Sequence, residues 1–326
     1  MLSRWLPFEE PLVELEGQIT ALKELAVKEK IDLSTKIDGL EARKRKLMED
    51  IFSSLSPWDK VQMARHPKRP YTLDFIDRLC TDWVELHGDR SYGDDGAMIA
   101  GLARFRGRGV AIVGNQKGRD TKERIHRNHG MVSPEGYRKA GRVMELAARF
   151  HKPVLSFVDT PGAACSPEAE ERGISEAIAR SIMLMSGLPV PIIVVITGEG
   201  CSGGAIATAY GDRVLMLEHA YYSVIAPESG ASIIYRDSGK ASQMAENLKI
   251  TAEDAVRLGV IEEVVPEPLG GAHRDMAGLA KTLGDTIERH LEELSGLKPK
   301  ELLEQRYARF RKLGEFSEPQ SEETES

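Results

Sequence analysis

The chain has 326 residues, 41% hydrophobic and 29% charged, with 44 basic against 51 acidic residues and a formal charge of −7. That balance excludes a largely disordered chain and gives no global basic footprint for nucleic acid. Three cysteines, Cys80, Cys165 and Cys201, are too few and too scattered for a disulfide scaffold or a four-cysteine zinc site.

Along the chain, Leu12, Leu15, Ile19 and Leu22, then Leu33, Ile37, Leu40, Leu47 and Ile51, recur at spacings of three and four or their sums. This periodicity predicts helices over 9–30 and 34–53, with Ser34 as the cap of the second. Such a pair packs its stripes either on the chain's own core or against another subunit. The Arg65–Pro70 run, with two prolines and three basic residues, reads as a loop. A helix is expected over 72–86. From residue 97 apolar runs of strand length take over, at 98–105, 110–113, 154–158, 192–196, 214–217, 222–226 and 261–265. Helical stretches over 135–150 and 168–185 separate several of them. Near-continuous apolar strands alternating with helices predict an α/β core with parallel strands. Its ligands belong outside the carboxyl edge of the sheet. Beyond Pro266, Met276, Leu279, Leu283, Ile287, Leu291 and Leu294 form one helical stripe. Residues 315–326 carry five Glu and no Lys or Arg, and read as a solvated tail. No apolar run is long enough to span a membrane. The start, residues 1–10, has no apolar signal core, and the free thiols suit a reducing compartment, so a cytoplasmic location is expected.

Two strand-to-helix turns stand out, Asp159-Thr160-Pro161-Gly162-Ala163 and Gly198-Glu199-Gly200-Cys201-Ser202-Gly203-Gly204. The second admits several readings. Gly198-x-Gly200-x-x-Gly203, with Glu218 twenty residues on, matches a dinucleotide fingerprint but leaves room for only a short helix. Gly200-x-Ser202-x-Gly204 matches a nucleophile elbow, with His219, His273 or His290 as the base. Alternatively, the N–H groups of Gly203 and Gly204 point together at one oxygen and form an oxyanion hole. The bland alternative is a tight turn whose glycines permit close packing.

These turns, with Ala169-Glu170-Glu171-Arg172-Gly173, Arg65-His66-Pro67, Gln116-Lys117-Gly118-Arg119, Pro134-Glu135-Gly136-Tyr137 and Pro266-Glu267-Pro268-Leu269-Gly270-Gly271, occur in the order found in the alpha subunits of bacterial acetyl-coenzyme A carboxylase carboxyltransferase. The sequence resembles that family from about residue 8 to 311. The resemblance implies a crotonase-type fold, a ββα superhelix. It divides the chain into an N-terminal helical extension for partner contact (1–60), a carboxyltransferase core (61–268), C-terminal helices (269–314) and the acidic tail (315–326). It implies transfer of a carboxyl group from carboxybiotin, carried on a biotin carboxyl carrier protein that biotin carboxylase loads, to acetyl-CoA. The product is malonyl-CoA, for fatty acid synthesis. A zinc-ribbon beta subunit is expected to supply the other half of the site, in a heterotetramer, so no metal is expected on this chain.

By the same resemblance, Gly203 and Gly204 are the catalytic oxyanion donors, facing the biotin carbonyl. Gly162, Ala163, Gly200 and Ser202 line the pocket. No general base is required of this chain. Lys117 and Arg119 belong to its densest basic stretch, with Lys122, Arg124 and Arg127, and are candidates to meet coenzyme A phosphates or the carboxylate being moved; the other reading is a solvated loop. Arg172 reads as a structural ion pair. Ala164-Cys165-Ser166 stands where the family has Tyr-Pro-Gly, which opens the acceptor to a related acyl-CoA. The competing functions are a crotonase-type hydratase or isomerase, with Glu199 as its carboxylate, and a non-catalytic paralogue.

Overall fold

The computed structural model describes residues 5–314; the acidic tail lies outside the described residues. A sheet of eight strands forms the centre: β1 (Cys80–Glu85), β2 (Met98–Phe105), β3 (Arg108–Asn115), β4 (Val154–Thr160), β5 (Ile192–Cys201), β6 (Arg213–Leu217), β7 (Tyr221–Ser223) and β8 (Glu263–Val265). The order is β1-β2-β3-β4-β5-β6-β8, and β7 pairs with the end of β5. From β3 to β8 the pairs are parallel, as the apolar runs predict; β2 runs antiparallel to both its neighbours, β1 and β3, so the sheet is mixed. Every residue of β4 and β5 is buried, which is why both read as unbroken apolar runs.

Helix Pro134–Arg149 crosses from β3 to β4, and Ile174–Gly187 leads from β4 to β5; the two pack against each other. The single helix expected over 168–185 is two, because Gly173 at φ +78° breaks it after a short turn, Pro167–Glu171. Ser166 caps that turn, accepting the Ala169 N–H at 3.3 Å. The helix expected over 72–86 ends at Leu79, and Cys80–Glu85 is an edge strand on β2. Its Thr, Trp and Val suit a strand more than a helix, and its pairing with β2 slips between Thr81 and Val84.

The N-terminal helices are Glu10–Glu29 and Ser34–Phe52. The cap of the second differs from expectation: Asp32 Oδ1 accepts the Ser34 N–H at 2.9 Å, and Ser34 is the first helical residue. The base of the pair packs on the body through Leu12, Phe52 and Met63, while Leu25, Val27 and Ile31 at its tip are exposed. Helix Met276–Ser295 buries Leu279, Leu283, Ile287, Leu291 and Leu294, the stripe seen in the sequence. The last helix, Pro299–Arg311, inserts Arg306 beneath the sheet. Its guanidinium meets Asp212 twice at 2.8 Å and donates to the carbonyls of Met185, Leu188 and Val190.

Candidate functional site

Both glycine turns leave the carboxyl ends of β4 and β5, side by side. Val158 pairs with Ile196 and the next pair is Thr160 with Gly200, so β5 bulges outward at Thr197, Gly198 and Glu199 opposite Asp159. Side chains replace the interrupted ladder. Asp159 Oδ1 accepts the Glu199 N–H at 2.9 Å, and Arg69 Nε donates to the Thr197 carbonyl at 2.7 Å. A Cβ on Gly198 would lie 2.4 Å from Asp159 Oδ1, so the bulge requires glycine there.

The two turns then touch through their backbones. A Cβ on Gly204 would fall 2.4 Å from the carbonyl carbon of Gly162 and 2.5 Å from the Ala163 nitrogen. Ala163 is pinned by a bridge to Val132, and the Ala164 N–H donates to the Val132 carbonyl at 3.0 Å. On Gly162, at φ +155°, a Cβ would meet nothing within 4 Å, so that position faces open space. Gly200 is different: it is buried in β5 and its glycine lets β7 approach, with Tyr222 Cδ2 at 3.0 Å from a built Cβ. Its place in the pocket lining is therefore taken by packing. Ser202 is exposed at φ +58°, a strained conformation for serine, and opens the short helix Ser202–Ile206. Gly203 and Gly204 follow in its first turn, where N–H groups lack intrahelical partners.

A charged network lies behind this edge. Lys117 Nζ bridges Asp159 Oδ1 at 2.6 Å and Glu199 Oε1 at 2.7 Å. Arg65 Nε and the Tyr221 hydroxyl each donate to Glu199 Oε2 at 2.7 Å, and Arg65 Nη1 meets Glu228 Oε1 at 2.5 Å. Burial opposes the charge on Glu199, but Lys117 and Arg65 outweigh it and hold the carboxyl at about 2. Burial also pushes Asp159 above the usual carboxylate range, against the pull of Lys117. Beneath them Arg69 forks onto Glu267 at 2.5 and 3.1 Å, with both side chains buried.

A cavity of about 540 Å³ opens over the network, lined by Leu6, Arg65, Tyr71, Lys117, Arg124, His129 and Pro161 among others. Lys117 and Arg124 thus reach the cavity, but the Lys117 charge is already committed to two carboxylates. Arg119 turns away. It pairs with Asp74, donates to the Arg69 carbonyl at 2.7 Å and lies over the Tyr71 ring. Arg127 pairs with Glu123. Arg172 forms the expected ion pair, with Glu135 at 3.1 Å.

The competing motif readings lose their partners. His219 packs by Phe52, His273 stacks on His66, and His290 meets Glu263, so none of the three candidate bases serves Ser202. The five-residue helix after Gly200 is too short for a dinucleotide crossover, and Glu218 accepts the Glu267 N–H.

One cluster has the composition of a metal centre: Glu9, His66 and His273. His66 Nδ1 accepts the Lys68 N–H at 3.1 Å, which in the neutral ring leaves the proton on Nε2, 3.2 Å from Glu9 Oε2. Glu9 Oε2 also accepts the Leu6 N–H at 2.9 Å, and the Arg274 guanidinium lies 3.5 Å from Oε1. Through these contacts Glu9 anchors the segment starting at Leu6 to the body of the protein. Arg65, Asp159 and Glu267 stand out in the sequence only as members of motifs, which give no role or pairing for them or for Arg69; glycine inside the apolar run of β5 was the available signal for the bulge.

Comparison with known proteins settles the family. The acetyl co-enzyme A carboxylase carboxyltransferase-like model matches residues 5–314. The chain belongs to that family. It is 54% identical over 313 residues to the acetyl-coenzyme A carboxylase carboxyl transferase subunit alpha of Geobacter metallireducens, covering 96% of this chain and 98% of that one. It is 49% identical over 316 residues to the same subunit of Halalkalibacterium halodurans, covering 97% of each. Solved structures share the fold at low identity. A Pseudomonas malonate decarboxylase hetero-tetramer in complex with coenzyme A has TM-score 0.56 at 17% identity, over 68% of this chain and 90% of that chain. Transcarboxylase 12S has TM-score 0.53 at 22% identity, over 65% and 41%. These neighbours bear out the crotonase-type α/β fold expected from the resemblance. Among the described residues no helix is long and apolar enough to cross a membrane.

Proposed function

We propose that this chain is the alpha half of a biotin-dependent carboxyltransferase that converts acetyl-CoA to malonyl-CoA for fatty acid synthesis. Full-length identity of about half to subunits of that name supports the reading. A zinc-ribbon beta subunit completes the site, biotin carboxylase loads the carrier protein, and the assembly works in the cytoplasm. The helical extension, residues 1–60, offers its exposed tip to a partner; residues 61–268 form the core and 269–314 the supporting helices.

Carboxybiotin, a substrate on the carrier, supplies the carboxyl group. The ureido N–C bond breaks, a C–C bond forms at the acetyl methyl carbon, and a methyl proton passes to the ureido nitrogen. This chain's part is electrostatic. The Gly203 and Gly204 N–H groups donate to the ureido oxygen as it gains charge, and each such donor is worth about 3–4 kcal/mol in a dry site. Gly162, Ala163 and Ser202 shape the surface beside them. The observation that favours this reading over a hydratase is Glu199, whose two oxygens are taken up by Lys117, Arg65 and Tyr221. A general acid or base works best near neutral pH, and this carboxyl is held at about 2 by two cations.

The test is reconstitution. The chain with its zinc-ribbon partner should form malonyl-CoA from carboxylated carrier and acetyl-CoA, and neither chain alone should. Water addition to an enoyl-CoA by this chain alone overturns the reading.

A further inference from the structure

Lys117 is a cation on the wall of the candidate cavity, yet its ammonium points into the protein. Its two acceptors belong to different turns. Asp159 immediately precedes the Gly162–Ala163 turn, and Glu199 immediately precedes the run leading to Gly203 and Gly204. The ladder between β4 and β5 is interrupted between the Val158–Ile196 and Thr160–Gly200 pairs, so across Thr197, Gly198 and Glu199 side chains must help hold the two strands in register. The Thr197 hydroxyl donates to the Val158 carbonyl at 3.3 Å where the bulge begins, and three shorter contacts centre on Asp159 and Glu199: Lys117 to Asp159 at 2.6 Å, Lys117 to Glu199 at 2.7 Å, and the Glu199 N–H to Asp159 at 2.9 Å. Beyond the bulge the turns meet backbone to backbone at Gly204 and Gly162, where no side chain can take up an error in spacing.

We propose that Lys117 is a positioning residue, a clamp that joins the two glycine turns across the β5 bulge and so aims the Gly203 and Gly204 donors, and that it binds no substrate. An ammonium suits the task because its three donors serve two carboxylates from one compact atom. The inference rests on the proposed function for its kinetic readout and stands apart from it in its structural one.

The experiment uses Lys117→Met and Lys117→Arg in the full chain, assembled with its partner. A misplacement near 1 Å costs about a hundredfold in rate. Lys117→Met should therefore lower kcat for carboxyl transfer about a hundredfold and leave KM for acetyl-CoA within about threefold, since aim matters in the transition state. Lys117→Arg should recover part of the loss. In the free chain, hydrogen exchange in Lys117→Met should quicken in peptides spanning 159–164 and 196–206 and stay unchanged in Met276–Ser295. A rise in KM with kcat unchanged would make Lys117 a substrate contact and overturn the proposal. So would unchanged kinetics, or quickened exchange throughout the chain, which would make the network a general support. If the wild-type assembly transfers no carboxyl group, the functional reading fails, and the exchange pattern still decides the clamp.

Discussion

Replacing Gly204 by alanine adds one methyl group at the contact between the two turns. That carbon would lie 2.4 Å from the Gly162 carbonyl carbon, 2.5 Å from the Ala163 nitrogen and 2.7 Å from the Gly162 oxygen. Ordinary contact is about 3.5 Å, so one turn must retreat by about 1 Å. All three neighbours are backbone, and Ala163 is held by its bridge to Val132, so no rotamer relieves the clash. Overpacking of this kind costs about 1–3 kcal/mol of stability. If the displaced turn also loses one oxyanion donor, carboxyl transfer falls about 100- to 1,000-fold. Gly203→Ala is the matched control. Its Cβ would meet only Ile178 Cδ1, at 3.4 Å, so stability and rate should change by less than about threefold in equilibrium or rate constant. Malonyl-CoA formation by the assembled enzyme and urea unfolding of the chain measure the two effects. Equal rates for Gly204→Ala and wild type would refute the close contact as a determinant of activity.

Acid stability should depend on Glu267. Burial opposes its charge, but Arg69 outweighs that and holds it at about 2. Its native pKa is below the unfolded value of about 4.3, so its contribution is full above that value and is lost as pH falls toward 2. Urea unfolding at pH 6 and pH 3 should show wild type losing more stability on acidification than Glu267→Gln; parallel losses would refute the linkage. Arg306→Met leaves Asp212 and three carbonyls buried without their donor and should cost about 3–5 kcal/mol in urea unfolding, whereas a cost under 1 kcal/mol would mean that water replaces the guanidinium.

The parallel strands were legible because burial on both faces writes them as apolar runs. β1 was not, because this edge strand buries none of its residues fully and its Asp82 and Glu85 continue a helix-like pattern. The turns were legible as glycine spacing, and the resemblance supplied their meaning. The charged network was hidden for a different reason. Arg65 and Glu199 are separated by 134 positions and Arg69 and Glu267 by 198, so no local pattern joins them. The run Arg65–Pro70 read only as a loop, because prolines and basic residues stop the helical pattern there. In the fold His66 and Arg69 are almost fully buried, each beside a carboxylate from elsewhere in the chain.

The anchor at Glu9 bears on how the protein is handled. Leu6 forms part of the cavity wall, and Glu9, three residues on, holds that stretch to His66, His273 and Arg274. An expression vector that trims the chain past Glu9 would strip Leu6 from the wall and leave His66 and His273 without their carboxylate, while Arg274 would keep its ion pair with Glu16 at 2.7 Å. Purification handles and fluorescent fusions therefore belong at the other terminus.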